Sequence, residues 1–340
     1  MTSKAKSKPG SVIFVTGGAG FIGSNYLNKY VPVRTDTHFV CVDSLTYAGN
    51  LKNLEIQKSR NFSFERSDIR DKAALLKLFK KHKPNGVIHF AAESHVDMSI
   101  SNPGIFIETN VAGTGNLLSI ARETGVSRFL HVSTDEVYGS LQEGEKSFTE
   151  ESILAPNNPY SASKAGAELL ARSYFKTFGL DVVITRSSNN YGPRQDTTKL
   201  IPLFMTRLLK GEKVPVYGKG NNVRDWIYVE DNIDAIDTVW QRGKSGEVYN
   251  IGGSNEIRNI DLTKKLIALT DRDEGAIEYV TDRPGHDFRY SLDSSKIKRE
   301  LGWSPKISFE SGLKKTLAFY KSTSSVDNSV QRIRTMQKSS

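Results

Sequence analysis

Two short strings in this 340-residue chain carry side chains whose types and spacing can do chemistry. Tyr160-Ser-Ala-Ser-Lys164 sets a phenol and an amine four residues apart, the spacing that shares one helix face. An ammonium at that distance lowers a phenol's pKa by charge proximity. An unperturbed phenol titrates near about 10, so the shift would make Tyr160 a usable base near neutral pH. The plain alternative is a packing Tyr with a solvated Lys. The overlapping Ser161-x-x-Lys164 also resembles a serine acyl-enzyme motif, but the partner motifs of those enzymes are missing. The second string, Thr134-Asp135-Glu136, follows Ser133 at the end of an apolar run. Two adjacent carboxylates in unlike environments can have separate pKa values and so act as an acid and a base. Capping of the next helix is the structural alternative.

A third string supplies a place for a dinucleotide. Gly17, Gly20 and Gly23 lie in G-x-x-G-x-x-G spacing between an apolar strand and a helix start at Phe21. Glycines at such a turn let the backbone approach a pyrophosphate, and the helix N-terminus adds N–H donors and a favourable dipole. Asp43 ends the second apolar run, 20 residues after Gly23, where a carboxylate accepts hydrogen bonds from an adenosine ribose. Ser44 follows and no Arg or Lys is adjacent, so a 2′-phosphate would meet uncompensated negative charge; NAD is favoured over NADP. Asp68-Ile69 and Ala91-Ala92 fall at further strand ends, where the adenine and the rest of the cofactor should lie. Lys164 can also reach the nicotinamide ribose. If a sugar C4 hydroxyl is oxidised to a ketone, the C5 proton becomes acidic. One carboxylate of the 135–136 pair can then take that proton while the other protonates a departing C6 hydroxyl.

The elements that must position these groups follow from the apolar pattern. Val12–Thr16, His38–Asp43, Phe62–Arg66, Gly86–Ala91, Arg128–Ser133 and Val182–Arg186 read as strands, and helices are expected at Phe21–Leu27, Asp71–His82, 103–123 and 160–178. Strands buried on both faces read as unbroken apolar runs, and their alternation with helices implies parallel crossovers. The expected fold is α/β, a doubly wound parallel sheet of Rossmann type with a smaller C-terminal lobe. Residues 1–10 read as a disordered basic N-terminus, 11–190 as the NAD-binding domain with the catalytic residues, 191–321 as mainly the substrate lobe, and 322–340 as a flexible tail.

Composition excludes several classes. Hydrophobic residues make up 37% and charged residues 25%, ordinary for a soluble globular protein. No stretch of about 18 apolar residues exists to cross a membrane, and MTSKAKSKPG has no apolar segment behind it that would make a secretory signal. The single cysteine, Cys41, excludes intramolecular disulfides and Cys-rich metal sites, and a cytoplasmic location is expected. The six histidines, at 38, 82, 89, 95, 131 and 286, lack metal-ligand spacing, so no metal is expected. His89 and His131 read as satisfied core residues, His95 and His286 as borders of the pocket, and Trp226 and Trp303 as packing.

Together with GGAGFIG, STDEVYG and YSASK, the strings DSLTYAGNL, DIR (68–70), FAAESHVD (90–97), SSNNYGP (187–193), KLIP (199–202), VRDWIYVED (223–231), YNIGG and DRPGHD (282–287) carry a resemblance. From about residue 11 to 320 the sequence is similar to the extended short-chain dehydrogenase/reductase family, and within it to the dTDP-glucose 4,6-dehydratases. Related UDP-sugar epimerases and decarboxylases share the Tyr and Lys but typically lack the middle Asp of Thr-Asp-Glu; they and a UDP-glucose dehydratase are the alternatives. The resemblance implies that Tyr160 removes the C4 hydroxyl proton while Thr134 hydrogen-bonds that hydroxyl and hydride passes to NAD+. Glu136 then abstracts the C5 proton, Asp135 protonates the C6 hydroxyl, and hydride returns to C6 to give a 4-keto-6-deoxy sugar.

The same resemblance implies cofactor contacts at Phe21, Ile22, Asp43, Ser44, Leu45, Thr46, Asp68, Ile69, Phe90, Ala91, Ala92, Ser94, Thr109, Tyr160, Lys164 and Asn190. For the nucleotide-sugar it implies Ser94, Thr134, Asn189, Lys199, Leu200, Pro215, Val216, Tyr217, Arg224, Asn259, Asp282, Arg283 and His286. A diphosphate calls for Arg, Lys and Asn donors, which Arg224, Lys199, Asn189 and Arg283 offer. The helices over 103–123 and 160–178 are expected to form a helix-bundle homodimer interface, as in the family. Ser44 stands where bacterial members often have Lys, Met98 where Arg is common, and Arg194-Gln-Asp-Thr-Thr replaces an aromatic and Pro-Glu-containing stretch.

The formal net charge of +9 raises nucleic acid as a partner. Lys4, Lys6 and Lys8 at one end and Arg332, Arg334 and Lys338 against Asp327 at the other supply more than half of it. The remainder suits a cleft for a doubly anionic nucleotide-sugar, so neither nucleic acid nor a membrane is the expected partner.

Overall fold

The computed structural model describes residues 10–282 and 285–322. Nearly all of the basic N-terminal stretch and of the C-terminal tail, and Arg283 with them, lie outside the described residues.

Strand β1 (Ser11–Thr16) leads through the glycine turn into α1 (Phe21–Tyr30), and then come β2 (Thr37–Asp43), β3 (Phe62–Arg66), α2 (Lys72–His82) and β4 (Gly86–His89). Asp71 caps α2 as its sequence position suggests, its Oδ1 accepting from Ala74 N at 2.9 Å. A short helix, α3 (Val96–Ser101), precedes the long helical rod expected over 103–123. That rod consists of α4 (Pro103–Phe106), a π-helical segment Ile107–Gly113 and α5 (Thr114–Glu123). Next come β5 (Arg128–Thr134), α6 (Pro159–Phe178) and β6 (Val182–Ser187).

The second half adds β7 (Asn189–Tyr191), α7 (Leu200–Leu209), β8 (Val214–Tyr217), β9 (Val223–Tyr228) and α8 (Val229–Arg242). It continues with β10 (Val248–Ile251), β11 (Glu256–Arg258), α9 (Asn259–Leu269), β12 (Ile277–Val280), α10 (Ser295–Leu301) and α11 (Phe309–Ser322).

Seven strands form one parallel sheet in the order β10-β6-β5-β4-β1-β2-β3. The strand order reverses at β1, between β2 and β4, which opens a crevice at the carboxyl ends of the strands. One apolar layer, with Leu27, Ile236, Val239 and Ile297, packs on one face. The opposite layer, with Leu75, Phe79, Leu117 and Ala171, packs on the other. The doubly wound sheet is therefore the one the sequence implies, with a seventh strand. A separate core around Phe204, Met205, Trp226, Leu266 and Leu313 builds the lobe. Two small sheets serve that lobe, β11-β9-β7 and the parallel pair β12-β8.

The division drawn at residue 190 differs from the layering. β10 pairs with β6, while α8 and α10 cover one face of the main sheet. The reason is that β6 would otherwise end the sheet with an unpaired edge, and the apolar face of α8 (Ile233, Ile236, Val239, Trp240) has to be buried. Trp303 packs in this layer and Trp226 in the lobe core.

Candidate active site

The crevice at the switch point is a cleft walled by Gly17, Gly20, Phe21, Ile22, Gly23, Asp43, Ser44, Thr46, Asp68, Ile69, Phe90, Ala91, Ala92, Ser94, Thr109, Tyr160 and Lys164. Two expected cofactor residues stand off this wall. Leu45 turns aside at φ 57°, its N–H held by Asp43 Oδ1 at 2.8 Å. The Asn190 amide, in β7, bonds back to the Ser188 carbonyl at 3.0 Å. The cleft also takes in Glu93, within the expected 90–94 loop, and Gln195 and Asp196, together with residues the sequence reading missed: Tyr47, Ala48, Gly49, Ser67, Arg70, Val132 and Ser133. Gln195 and Asp196 belong to the stretch where this chain departs from the family pattern, expected on the pyrophosphate side of the pocket.

The glycines are there for lack of room. Gly17 has φ 69°, and a Cβ on it would lie 2.5 Å from the Ala91 nitrogen; a Cβ on Gly23 would lie 2.4 Å from the Gly17 carbonyl oxygen. Asp43 ends β2 with Oδ2 accepting from Ala19 N at 3.0 Å and Oδ1 from Leu45 N, which fixes the carboxylate on the cleft wall. Burial raises its pKa while these two N–H donors lower it. Arg70 grips Asp68 through Nε and Nη2, at 3.0 and 2.7 Å to Oδ2. The π segment in the long rod turns Thr109 to the cleft and Asn110 inward. Asn110 accepts from Glu93 N at 2.8 Å and donates to Glu93 O at 2.9 Å and Ser163 Oγ at 2.8 Å. Such widened turns are common at functional sites; no spacing in the sequence marks this one.

Two segments bring the chemistry to the same end of the sheet. α6 opens with a capping box, Asn158 Oδ1 accepting from Ser161 N at 2.9 Å, with Pro159 at its first position. This fixes Tyr160 at the helix mouth and Lys164 one turn further in, both buried. β5 ends at Thr134, and a 3₁₀ turn, Asp135–Tyr138, follows at once. Thr134 Oγ1 donates to Asp135 Oδ1 at 3.1 Å and accepts from Glu136 N at 3.3 Å. Glu136 Oε2 accepts from Asn158 Nδ2 at 3.5 Å, which ties the turn to the start of α6.

The two carboxylates have unlike surroundings, as the acid–base reading requires. Asp135 is 2% exposed, its Oδ2 has no partner, and burial raises its pKa strongly, with the charges of Glu136 and Asp225 adding to the rise. Glu136 is half-buried.

The phenol departs from expectation. Burial raises the Tyr160 pKa, Glu136 raises it further, and the Thr134 hydroxyl only partly offsets them. The Lys164 ammonium does not reverse this, because it is turned to the Val132 carbonyl at 2.7 Å and is itself desolvated. Burial lowers its own pKa to about 8, with the Glu168 charge opposing the shift.

Of the substrate residues implied by the resemblance, Ser94 and Lys199 meet on the cleft, Lys199 Nζ donating to Ser94 O at 2.6 Å. Thr134 ends β5 in the main sheet, and the other described ones stand in the lobe. Asn189 lies in β7, Leu200 opens α7, Pro215, Val216 and Tyr217 lie in β8, and Asn259 opens α9. The side-chain oxygens of Asn189 and Asn259 are buried without a partner. Arg224 donates to Asp287 O at 2.9 Å and stacks 4.2 Å over Tyr290. His286 bonds Asp282 at 2.6 Å with its ring 6.0 Å from Tyr217, and His95 caps α3. Tyr290 and Asp287, joined at 2.5 Å, and Asp225 are additions sequence reasoning missed. Glu136 helps raise the Tyr290 pKa and Asp225 that of Asp135.

His89 is satisfied by Thr16 at 2.7 Å and Thr114 at 2.9 Å. His131, expected to be satisfied, is not: both ring nitrogens are buried without a partner, because its strand neighbours are apolar or already bonded. Among the described residues no group of three or more His, Cys, Asp or Glu side chains could hold a metal ion.

A nucleotide-binding crevice beside a buried Tyr, Lys and carboxylate turn defines a nucleotide-sugar-modifying member of the short-chain dehydrogenase/reductase fold. The chain belongs to the family described as GDP-mannose 4,6 dehydratase, whose model matches residues 14–316. A dTDP-glucose 4,6-dehydratase of Shigella flexneri is 47% identical over 335 residues, covering 91% of this chain and 92% of the relative. A dTDP-glucose 4,6-dehydratase of Streptomyces venezuelae, solved with NAD bound, superposes with a TM-score of 0.89 at 48% identity over 92% of this chain and 98% of that one. A UDP-glucose 4-epimerase of Thermotoga maritima, solved with UDP-glucose, reaches a TM-score of 0.85 at 34% identity, over 92% and 99% of the two chains. The epimerase's nearly equal fold score leaves discrimination to the residues of the site.

Proposed function

We propose that this chain is an NAD-dependent dTDP-glucose 4,6-dehydratase, a hydro-lyase that forms the 4-keto-6-deoxy sugar. The observation that carries the reading is the contrast between Asp135 and Glu136. One carboxylate is buried and held toward its protonated form, while its neighbour is half-buried and hydrogen-bonded to Asn158. A 4-epimerase needs no acid aimed at C6.

The residues present suit the cofactor. The Ser67 and Ser133 hydroxyls are buried on the cleft wall without partners, and the Gly17–Gly23 turn leaves backbone room that a Cβ would fill. Asp43 would hold the adenosine ribose, the Gly17–Gly23 turn the pyrophosphate, Asp68 and Ile69 the adenine, and Lys164 the nicotinamide ribose. NAD, when bound, supplies a reversible hydride acceptor beside the sugar.

Tyr160 takes the C4 hydroxyl proton, with Thr134 hydrogen-bonded to the same hydroxyl. Burial, with the Glu136 charge, holds the phenol protonated, so its proton leaves most readily when positive charge enters the cleft. Glu136 removes the C5 proton and Asp135 protonates the leaving C6 hydroxyl. Lys199, Asn189, Arg224, Asn259 and His286, with Leu200, Pro215–Tyr217, Asp282 and Arg283, receive the nucleotide diphosphate.

The division at residue 190 into a cofactor domain and a mainly substrate-binding lobe is part of this reading. So is a homodimer through the helices of 103–123 and 160–178, supported by exposed Ile107, Leu169 and Phe178 on them; light scattering on the purified protein tests it. No described helix is long and apolar enough to cross a membrane, and a cytoplasmic enzyme fits the use of a nucleotide-sugar and a lone buried cysteine.

The test is mass spectrometry of products from dTDP-glucose and UDP-glucose. Loss of one water from dTDP-glucose is expected. A 4-epimer of unchanged mass, or no conversion of either, would sink the reading.

A further inference from the structure

Arg186 lies in β6 behind the catalytic turn, and no step above uses it. Its side chain is 6% exposed and that of Glu168 is 4% exposed. Nε donates to the two Glu168 carboxylate oxygens at 3.0 and 3.1 Å, and Nη2 donates to Oε1 as well. Nη1 donates to the Tyr138 hydroxyl at 2.5 Å, with the guanidinium carbon 4.6 Å from the centre of that ring. The Tyr138 hydroxyl in turn donates to Asn250 Oδ1 in β10 at 2.8 Å.

The two partners of this guanidinium belong to the two catalytic segments. Glu168 stands one turn past Lys164 and two past Tyr160 in α6, so all three share one stripe of the helix. Tyr138 closes the turn that begins at Asp135. One planar group thus joins the helix carrying the phenol to the turn carrying both carboxylates. Burying an ion pair costs about as much as its Coulomb attraction returns, so such a pair is a poor source of net stability. The rigid fork of a guanidinium is, by contrast, a good spacer. Glu168 also opposes the burial that discharges Lys164.

We propose that Arg186 is a positioning residue. It sets the distance between Tyr160 on α6 and Asp135 and Glu136 on the turn, so that oxidation and elimination act on one bound sugar without its moving. The proposal rests on the dehydratase reading.

The experiment is a single turnover of dTDP-glucose by excess NAD-loaded enzyme. Near-ultraviolet absorbance of the reduced nicotinamide rises as C4 is oxidised and decays as water is lost and C6 is reduced. Tyr138→Phe releases the turn and leaves the Glu168 pair in place. The decay should slow about tenfold and the rise stay within about twofold of wild type. Glu168→Gln loosens the helix side, and the rise should be the phase that slows about tenfold. Melting temperature and NAD affinity are measured alongside. Equal slowing of both phases in step with a lowered melting temperature would make Arg186 a structural brace and overturn the proposal, as would no change in either phase. If one variant fails to fold, the asymmetry in the other decides. A wild-type enzyme giving neither the transient nor a product lighter by one water would end the dehydratase reading and this proposal with it. Wild-type turnover without asymmetry in the variants ends the proposal alone.

Discussion

The two walls of the proposed active-site cleft are built on different principles. The cofactor wall is a matter of shape: Gly17 and Gly23 leave backbone exposed, and Asp43 is already anchored by two main-chain N–H groups. The reaction wall is a matter of protonation. Asp135, Tyr160 and Lys164 all have pKa values displaced by burial, the first two upward and the third downward. A wall made of shape is damaged by adding atoms, whereas a wall made of displaced pKa values is damaged by isosteric changes that add nothing.

Four measurements press on that contrast. The largest effect is expected from Asp135→Asn, which keeps the volume and removes the acid. Water loss should fall by about 10²–10⁴-fold while NAD affinity, read by fluorescence titration, stays unchanged. A matching fall in NAD affinity would mean the walls are not separable. Gly17→Ala should do the opposite. Its Cβ would lie 2.5 Å from Ala91 N at a positive φ, and overpacking of about 1–3 kcal/mol weakens NAD binding roughly tenfold to a hundredfold. The pH profile of the bound enzyme should not shift, and a shift would join the two walls. Asp43→Asn removes a charged acceptor worth about 1.5–3 kcal/mol and should weaken NAD about tenfold or somewhat more, with little change in kcat.

The smallest effect concerns stability. Lys164 has a folded pKa of about 8 against an ordinary 10.5. Between those values the unfolded chain carries the proton and the folded one does not, so this residue makes stability rise with pH across that window and contributes no slope below it. Melting temperatures followed from pH about 7.5 to 10 should rise less steeply in Lys164→Met than in wild type. Equal slopes would remove Lys164 from the set of displaced groups.

How much was legible in the sequence follows the same line. The sheet and the glycine turn were readable because apolar runs such as His38–Asp43 and the 17–23 spacing are local signals. The catalytic strings were readable as strings. The direction of the Tyr160 shift was not, because it depends on Glu136 and on desolvation, and neither shows in a four-residue spacing. Tyr290, Asp287 and Asp225 escaped notice for a related reason: they reach the Asp135–Glu136 turn across about 90 to 155 residues of intervening chain, as the long-range Asn157–Asp287 bond at 2.6 Å illustrates. Likewise β10 is a four-residue strand whose partner precedes it by some sixty positions, with no turn signal linking the two.

That late strand bears on how the protein is made. A ribosome adds residues at roughly 5–20 per second, and domains begin to fold as they emerge. The first six strands of the main sheet are complete at residue 187, but β6 gains its outer neighbour only when Val248–Ile251 arrives. For several seconds of synthesis the nascent sheet therefore presents an open edge of buried-type residues, the state most exposed to wrong pairing with another chain. The polypeptide that closes this gap also carries α7, β8 and β9 of the lobe, while α9 and β12 follow it, so the sheet is complete before the proposed substrate residues Asn259, Asp282 and His286 have been made.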